Sequence, residues 1–440
     1  MRLVYILITF ISFLSCSFDN KTGIWKNETN ITKKNSNLFK EFELITNSEQ
    51  TFYKTIEYDK KVKIDVGSAK RNTFWKDIFY NKSNNSHNFT YKNLNNRIFE
   101  SKKLSNHSLS DNILFFDNKL VSTDVKGNII IYSLKSKKKT KYNFYQKKFK
   151  KIEKKLNLIL DDNIIYISDN LGYLYAIDSN SSKILWAKNF KIPFRSNMKI
   201  FKNSLIAANQ NNNLLFIDKR NGQILKDIPT EETLIKNTFL NNLSLNEKSL
   251  FYLNTFGSLY SIDLKTKKIN WFINLNQSFE LDPSNAFNGS QIVTNNNYLV
   301  VSSNKNFHIL DTTSGYIKTK ENFSVSVKPV ILDDYVFLIT KNDLLVAMKL
   351  STGKFVYSYD INEQISQFLD IKRKKAEFKN INIINNNILI FLQNSYTLKY
   401  DITGELLDII KLPSNINSFP IFVEDSIFYL NKKKRLLVVN

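Results

Sequence analysis

The stretch GYLYAIDSNSSKILWAKNF at 172–190 returns as GSLYSIDLKTKKINWFINL at 257–275. Shorter copies of its first half run through most of the chain: GNIIIYS from Gly127, GYLYAID from Gly172, NNLLFID from Asn212, GSLYSID from Gly257, KNFHILD from Lys305, DLLVAMK from Asp343, SYTLKYD from Ser395 and KRLLVVN from Lys434. A self-similar period of roughly 40–50 residues is the signature of a repeat architecture. Each copy alternates apolar and polar residues with period two, the mark of a half-buried strand, and none has helical spacing.

The flanks of the copies explain the period. Another apolar strand precedes each one, such as NIIYISDN at 163–170 or SLFYLNTF at 249–256. The two join through a tight turn that needs a positive φ, which Gly127, Gly172, Gly257 or Asn212 supplies. A longer turn follows: IDKRNGQIL, LDTTSGYIK, MKLSTGKFV and YDITGELLD. Its opening carboxylate (Asp218, Asp311, Asp401) is placed to accept backbone amides, and Gly222, Gly315, Gly353 or Gly404 takes the left-handed position. An outer strand comes next, with Trp186, Trp271 or Tyr357 as its large residue, and a further strand such as LNLILDD at 156–162 opens each unit. Four antiparallel strands per unit, repeated eight times, predict an all-β, eight-bladed β-propeller. The last copy has no outer strand behind it. An open edge in a closed array leaves unpaired backbone, so NRIFESKKL at 96–104 is expected to supply that strand and close the ring from the N-terminal side.

Composition supports a packed body: 42% of residues are hydrophobic and 13% aromatic. With only 10 Gly and 6 Pro, asparagine must carry many turns. The formal charge of +23 invites a nucleic-acid reading, but the lysines are scattered over loops rather than gathered on one element. No nucleic-acid partner is expected. The basic runs KKFKKIEKK (147–155) and KRKK (372–375) fall at repeat joints and read as surface loops.

The single cysteine, Cys16, follows MRLVYILITFISFLS, an apolar run too short to span a bilayer. FLSC resembles a bacterial lipobox, which implies a signal peptide over 1–15 and lipidation of Cys16; Ser17 behind it favours the outer membrane. Several acyl chains at about 0.8 kcal/mol per buried CH₂ make a durable anchor. Residues 16–74 then read as a polar tether and 75–440 as the propeller, with Trp75 opening the folded part.

The repeat pattern G-x-L-Y-A-[IL]-D-x-x-[ST]-G-K-[IV]-x-W resembles that of PQQ-like (quinoprotein) propellers. Together with the lipobox and the blade count, the chain resembles the BamB family of outer-membrane assembly lipoproteins. The resemblance implies a non-catalytic scaffold without cofactor, lipid-anchored at the periplasmic face of the outer membrane. Its implied partners are the POTRA domains of a BamA-like barrel subunit and unfolded outer-membrane proteins. The family's apolar-x-apolar-Arg docking motif is matched by KIPFRSN at 191–197, placing Ile192, Phe194 and Arg195 at the partner interface, with Phe194 expected as an exposed aromatic beside the arginine. The family's acidic pair in the next inter-blade loop is not matched by LIKNTFLNNLS at 234–244; Glu231 and Glu232, just upstream, are the available substitutes.

Two other readings stay open on the sequence: a periplasmic propeller binding a small ligand in its central channel, and a quinoprotein dehydrogenase. Such enzymes stack the quinone on a vicinal disulfide, which one cysteine cannot form. His87, His107 and His308 are isolated and lack metal-ligand spacing. Asp161 and Asp162 are adjacent on a strand and so point to opposite faces, which is poor geometry for a catalytic pair.

Overall fold

The computed structural model describes residues 17–18, 25–26, 51–145, 149–231, 240–276, 287 and 289–440. The chain divides into a unit Met1–Gln50 and a unit Thr51–Asn440. In the first, Ser17–Phe18 pairs antiparallel with Trp25–Lys26; Cys16 lies outside the described residues.

In the second unit eight sheets follow one another along the chain. Blades 1 to 8 have their inner strands at Leu114–Phe116, Leu156–Asp161, Lys199–Phe201, Asn242–Leu245, Val293–Thr294, Val330–Leu332, Phe378–Ile384 and Ile421–Val423. All eight sequence copies form the third strand of a blade, from Asn128–Ser133 to Leu436–Val439. The expected closure is present. Arg97–Glu100 pairs antiparallel with Leu436–Val439 as the outer strand of blade 8, and Asn96 and Asn440 exchange backbone hydrogen bonds at 2.9 and 3.1 Å. Leu436, Leu437 and Val439, completely buried, lie under that ladder.

The half-burial expected of the third strands is not found, and the outer strands are the exposed ones, as at Ile184–Asn189 and Ile224–Ile228. Second and third strands are buried on both faces, because each blade is sandwiched between two neighbours; Ser258–Asp263, for example, is buried at every position but its last. The turns between second and third strands do take positive φ, +80° at Gly127, +88° at Gly172, +65° at Asn212 and +83° at Gly257, and Asp343, Ser395 and Lys434 adopt it in later blades. A carboxylate or amide at the end of the second strand caps these turns. Asp169 Oδ1 accepts from the amides of Leu171 and Tyr173 at 2.8 Å, and Asn209 Oδ1 accepts from those of Asn211 and Asn213. In the longer turns Asp311 Oδ1 accepts from the Thr313 and Ser314 amides, and Asp401 Oδ1 from those of Thr403 and Glu405.

The outer-strand tryptophans lock one blade to the next. Trp186 of blade 2 donates its indole N–H to the Lys219 carbonyl of blade 3 at 3.0 Å, and Trp271 of blade 4 donates to the Thr312 carbonyl of blade 5 at 3.3 Å.

The body begins earlier than residue 75. Phe52 stacks on Phe355 with ring centroids 4.5 Å apart, Ile56 exchanges backbone hydrogen bonds with Ser358 on the outer edge of blade 6, and Tyr58 meets Tyr357 edge to face. The segment from Thr51, placed in the tether by its polarity, is therefore held on the ring by aromatic residues spaced among its charges. A helix, Ile361–Leu369, fills the joint between blades 6 and 7, capped by Asp360, which accepts from the Glu363 amide at 3.0 Å. Among the described residues no helix is long and apolar enough to cross a membrane.

Candidate functional site

Two places on a propeller ordinarily carry function, the hub and the loops at the faces. In this chain one end of the hub is lined by the chain itself. Residues 72–92 run once round its wall and bond to the inner strand of each blade in angular order. Asn72 donates to the Phe422 carbonyl of blade 8, and Trp75 exchanges two backbone hydrogen bonds with Phe115 of blade 1, at 2.6 and 2.8 Å. The Lys76 carbonyl accepts from Leu160 of blade 2. Lys199 of blade 3 donates to Asp77 at 2.6 Å and to the Asn81 carbonyl at 2.9 Å. Lys82 and Ser83 carbonyls accept from Leu245 of blade 4 and Thr294 of blade 5. Asn84 donates through Nδ2 to both Leu243 and Ile292. Asn85 makes a two-way pair with the Ile331 backbone of blade 6, donating at 2.7 Å and accepting at 2.9 Å. Asn88 and Phe89 form a short parallel strand beside Ile383 and Ile384 of blade 7, and Lys92 donates to Asp425, back at blade 8.

The interior of this segment is aromatic. Trp75, Tyr80 and Phe89 pack with centroids 4.8 and 4.9 Å apart along the row, and Phe89 stacks on Phe422 of blade 8. Each side-chain amide acts as a spare peptide group. It offers a donor and an acceptor at the spacing of a backbone N–H and C=O, which is what the unpaired inner edge of a blade requires. The charged members are held by burial against opposite pulls. Lys199 is fully buried, and burial lowers its ammonium pKa although Asp77 works to raise it. Lys328 donates to the Asn84 carbonyl at 2.8 Å, and burial, reinforced by the Lys199 charge, pushes it down to about 7.

This wall was not read from the sequence. The available signal is the mixing of asparagines with aromatics, among them Trp75, Tyr80, Phe89 and Tyr91, in a stretch too short to form a blade.

A quinone and its metal do not fit here. The space at the end of the hub bounded by these inner strands holds Trp75, Tyr80 and Phe89, and the polar edges are already bonded to the chain. Among the described residues no group of three His, Cys, Asp or Glu side chains is arranged to hold a metal ion. His87 lies against Tyr80 at 5.4 Å, and His308 is buried in blade 5.

The motif KIPFRSN lies in the connection from blade 2 to blade 3. Phe194 is not the exposed aromatic expected: it is 2% exposed, packed edge-on against Phe190 at 5.3 Å and bridged to Asn209. Its amide donates to the Asp169 carbonyl, so the pattern that suggested a contact aromatic places it in the seam between blades 2 and 3. Ile192 and Arg195 are half-buried. The Arg195 guanidinium makes no ion pair among the described residues, and burial lowers its pKa. Ser196 bridges to Asn241, which brings the exposed Leu240 of the next connection alongside. Glu231 is not a free substitute for an acidic pair, because its carboxylate accepts from Asn254 at 2.8 Å and Ser258 at 3.0 Å; Glu232 lies outside the described residues.

The same face, formed by the inter-blade connections and the turns between second and third strands, carries a cleft of about 640 Å³ among blades 1, 6, 7 and 8, lined by Lys341, Lys375, Lys379, Lys432, Asp111 and Glu377 among others. Lys379 is buried with its ammonium 5.0 Å over the Phe419 ring. The cleft mixes both signs and holds no nucleophile–base arrangement. Of the basic runs, Lys150, Lys151 and Lys155 and the stretch 372–375 are exposed, with Arg373 tied to Asp360 at 2.5 Å.

Residues 147–359 match the family described as "outer membrane protein assembly factor BamB". This chain is a PQQ-like β-propeller. Among solved structures it is similar to BamB from Moraxella catarrhalis, with a TM-score of 0.61 at 12% identity, covering 78% of this chain and 99% of that one. It is equally similar to the computationally designed protein Ika8, with a TM-score of 0.59 at 13% identity and coverage of 78% and 99%. The quinohemoprotein alcohol dehydrogenase from Comamonas testosteroni gives 0.60 at 10% identity, covering 84% of this chain and 81% of that one. At these identities the likeness to solved structures is one of fold. No curated protein matches in sequence. The PQQ-like propeller thus has assembly factors and dehydrogenases among its structural neighbours, and only site chemistry separates them.

Proposed function

We propose that this PQQ-like propeller is a non-catalytic scaffold of the outer-membrane β-barrel assembly machinery. It binds the POTRA domains of the barrel-forming subunit and assists insertion of unfolded outer-membrane proteins. It is held at the periplasmic face of the outer membrane by lipid on Cys16. The observation that carries the reading is the match of residues 147–359 to the BamB family in a propeller whose hub wall is occupied by its own chain. A hub occupied in that way favours work at the faces over a channel ligand or a quinone.

The contact with the POTRA domain is assigned to the connection carrying Ile192, Phe194 and Arg195. Ile192 and the Arg195 guanidinium meet the partner, with Leu240 beside them. Phe194 acts from beneath, fixing the loop by filling the seam between blades 2 and 3. A partly desolvated arginine next to apolar surface is a typical interface anchor. No bond is made or broken; rigidity of the loop lowers the ordering cost of docking.

Affinity capture of the full-length, membrane-anchored protein tests this. Recovery of a POTRA-bearing barrel protein, lost in the double variant Ile192→Glu, Arg195→Glu at unchanged melting temperature, supports the reading. Failure to recover any such protein from intact outer membranes overturns it.

A further inference from the structure

The circuit of residues 72–92 does more than occupy space. We infer that it is a built-in plug, fastening all eight blades from the inside and closing that end of the hub to any cofactor-sized ligand.

Three independent features support this. The first is completeness. The inner strands present amide groups toward the hub, and those of Phe115, Leu160, Leu245, Thr294, Asn385 and Glu424 donate to plug carbonyls, while that of Ile331 donates to the Asn85 side chain. Blade 3 takes part through Lys199 instead. A water-filled channel would leave these amides to solvent; here each has a partner from one segment.

The second is the buried ion pair. Lys199 and Asp77 are both buried and 2.6 Å apart, and a lysine at the hub wall is stabilised only when a counter-charge is delivered to it. The body of blade 3 does not supply that charge. It comes from a segment 122 residues earlier, so the blade's inner strand carries a residue whose purpose is the plug.

The third is the order of the chain. Leaving the hub at Lys92, it reaches Arg97–Glu100, the outer strand that closes blade 8. The plug and the outer closure are thus consecutive, and the ring is tied at its centre and at its rim by about thirty neighbouring residues. Loop-closure cost grows slowly with length, so one local segment that bridges eight distant blades limits the opening of all of them together.

Hydrogen–deuterium exchange on the full-length protein tests the plug. The amides of Phe115, Leu160, Leu245, Thr294 and Ile331 are expected to exchange as slowly as those of the second strands. In Asn84→Ala, Asn85→Ala the inner-strand amides of blades 4, 5 and 6 should exchange at least about tenfold faster, as loss of one to two hydrogen bonds predicts, with third-strand amides unchanged. Asp77→Leu combined with Lys199→Met replaces the buried pair by apolar groups and keeps the plug seated, whereas Asp77→Leu alone should expose it. Exchange of the wild-type inner-edge amides within the dead time would overturn the inference. So would binding of pyrroloquinoline quinone with calcium at that end, read as altered exchange of these same inner-edge amides in the wild-type protein. Neither readout depends on partner capture, so the plug and the assembly role stand or fall separately.

Discussion

The indole of Trp186 lies against the turn of the following blade so closely that a methyl group on Gly222 would meet its ring at 2.7 Å. The same glycine has φ of +74°, so the turn needs a residue without a side chain for two separate reasons. Gly315 repeats the relationship with Trp271, also at 2.7 Å and with φ of +75°.

Gly222→Ala should therefore destabilise the protein by about 2–4 kcal/mol, combining left-handed strain of about 1–2 kcal/mol with displacement of the indole. A chemical denaturation midpoint that does not move would show that the seam between blades 2 and 3 yields freely.

Phe194→Ala and Arg195→Glu should separate packing from recognition. The first empties a buried site and is expected to cost about 3–5 kcal/mol, lowering the melting temperature. The second changes a half-exposed group with no ion-pair partner among the described residues, so stability should stay within about 0.5 kcal/mol while partner capture falls. Equal loss of stability in both variants would count against assigning Arg195 to the partner.

The closure of blade 8 predicts the effect of shortening the chain. Removing residues 437–440 takes away Leu437, Val438 and Val439, all buried, and unpairs Arg97–Glu100. At about 1.5–3 kcal/mol per buried side chain the loss is about 5–9 kcal/mol, a large share of the stability of an ordinary domain. Calorimetry should show a much lower or split transition; an unchanged one would mean that the ring does not depend on this ladder.

Stability should depend on pH in two windows. His308 is pushed down to about 4 by burial, with Lys320 adding to the effect. Its unfolded form binds a proton that the folded form refuses between about pH 4 and 6.5. Stability contributed there is present above pH 6.5 and falls as the pH drops through the folded value. Lys328, pushed down to about 7, gives a second rise in stability as pH increases from about 7 toward the ordinary lysine range near 10.4. Urea titrations of Lys328→Met across pH 7 to 10 should show the second rise flattened, and His308→Phe should flatten the first. A slope unchanged in both would place the titrating groups elsewhere.

Most of the ring was legible in the sequence because its rules are local. Alternation with period two marked the third strands, a positive-φ residue marked the turn before each, and Asp401 or Asp311 followed by glycine marked the turn after. Even the outer strand of blade 8 could be assigned, since a closed array must not leave an edge bare. The connection at 191–197 was legible only as a pattern. Apolar-x-apolar-Arg does not say which apolar residue faces inward, and packing between blades 2 and 3 claimed Phe194.

What the order of residues determined by itself was the repeating unit and its strand number, because both depend on neighbours a few positions apart, and the closure, because the last unit lacks an outer strand that a ring must supply. The tertiary structure alone decided how that end of the hub is filled. Asn72 finds its partner Phe422 at a separation of 350 residues, and it bonds to a backbone carbonyl that every residue type possesses. A side-chain amide that pairs with bare peptide groups leaves no matching mark in its partner's sequence, so only the closed ring, by bringing eight such edges together, reveals what the asparagines are for.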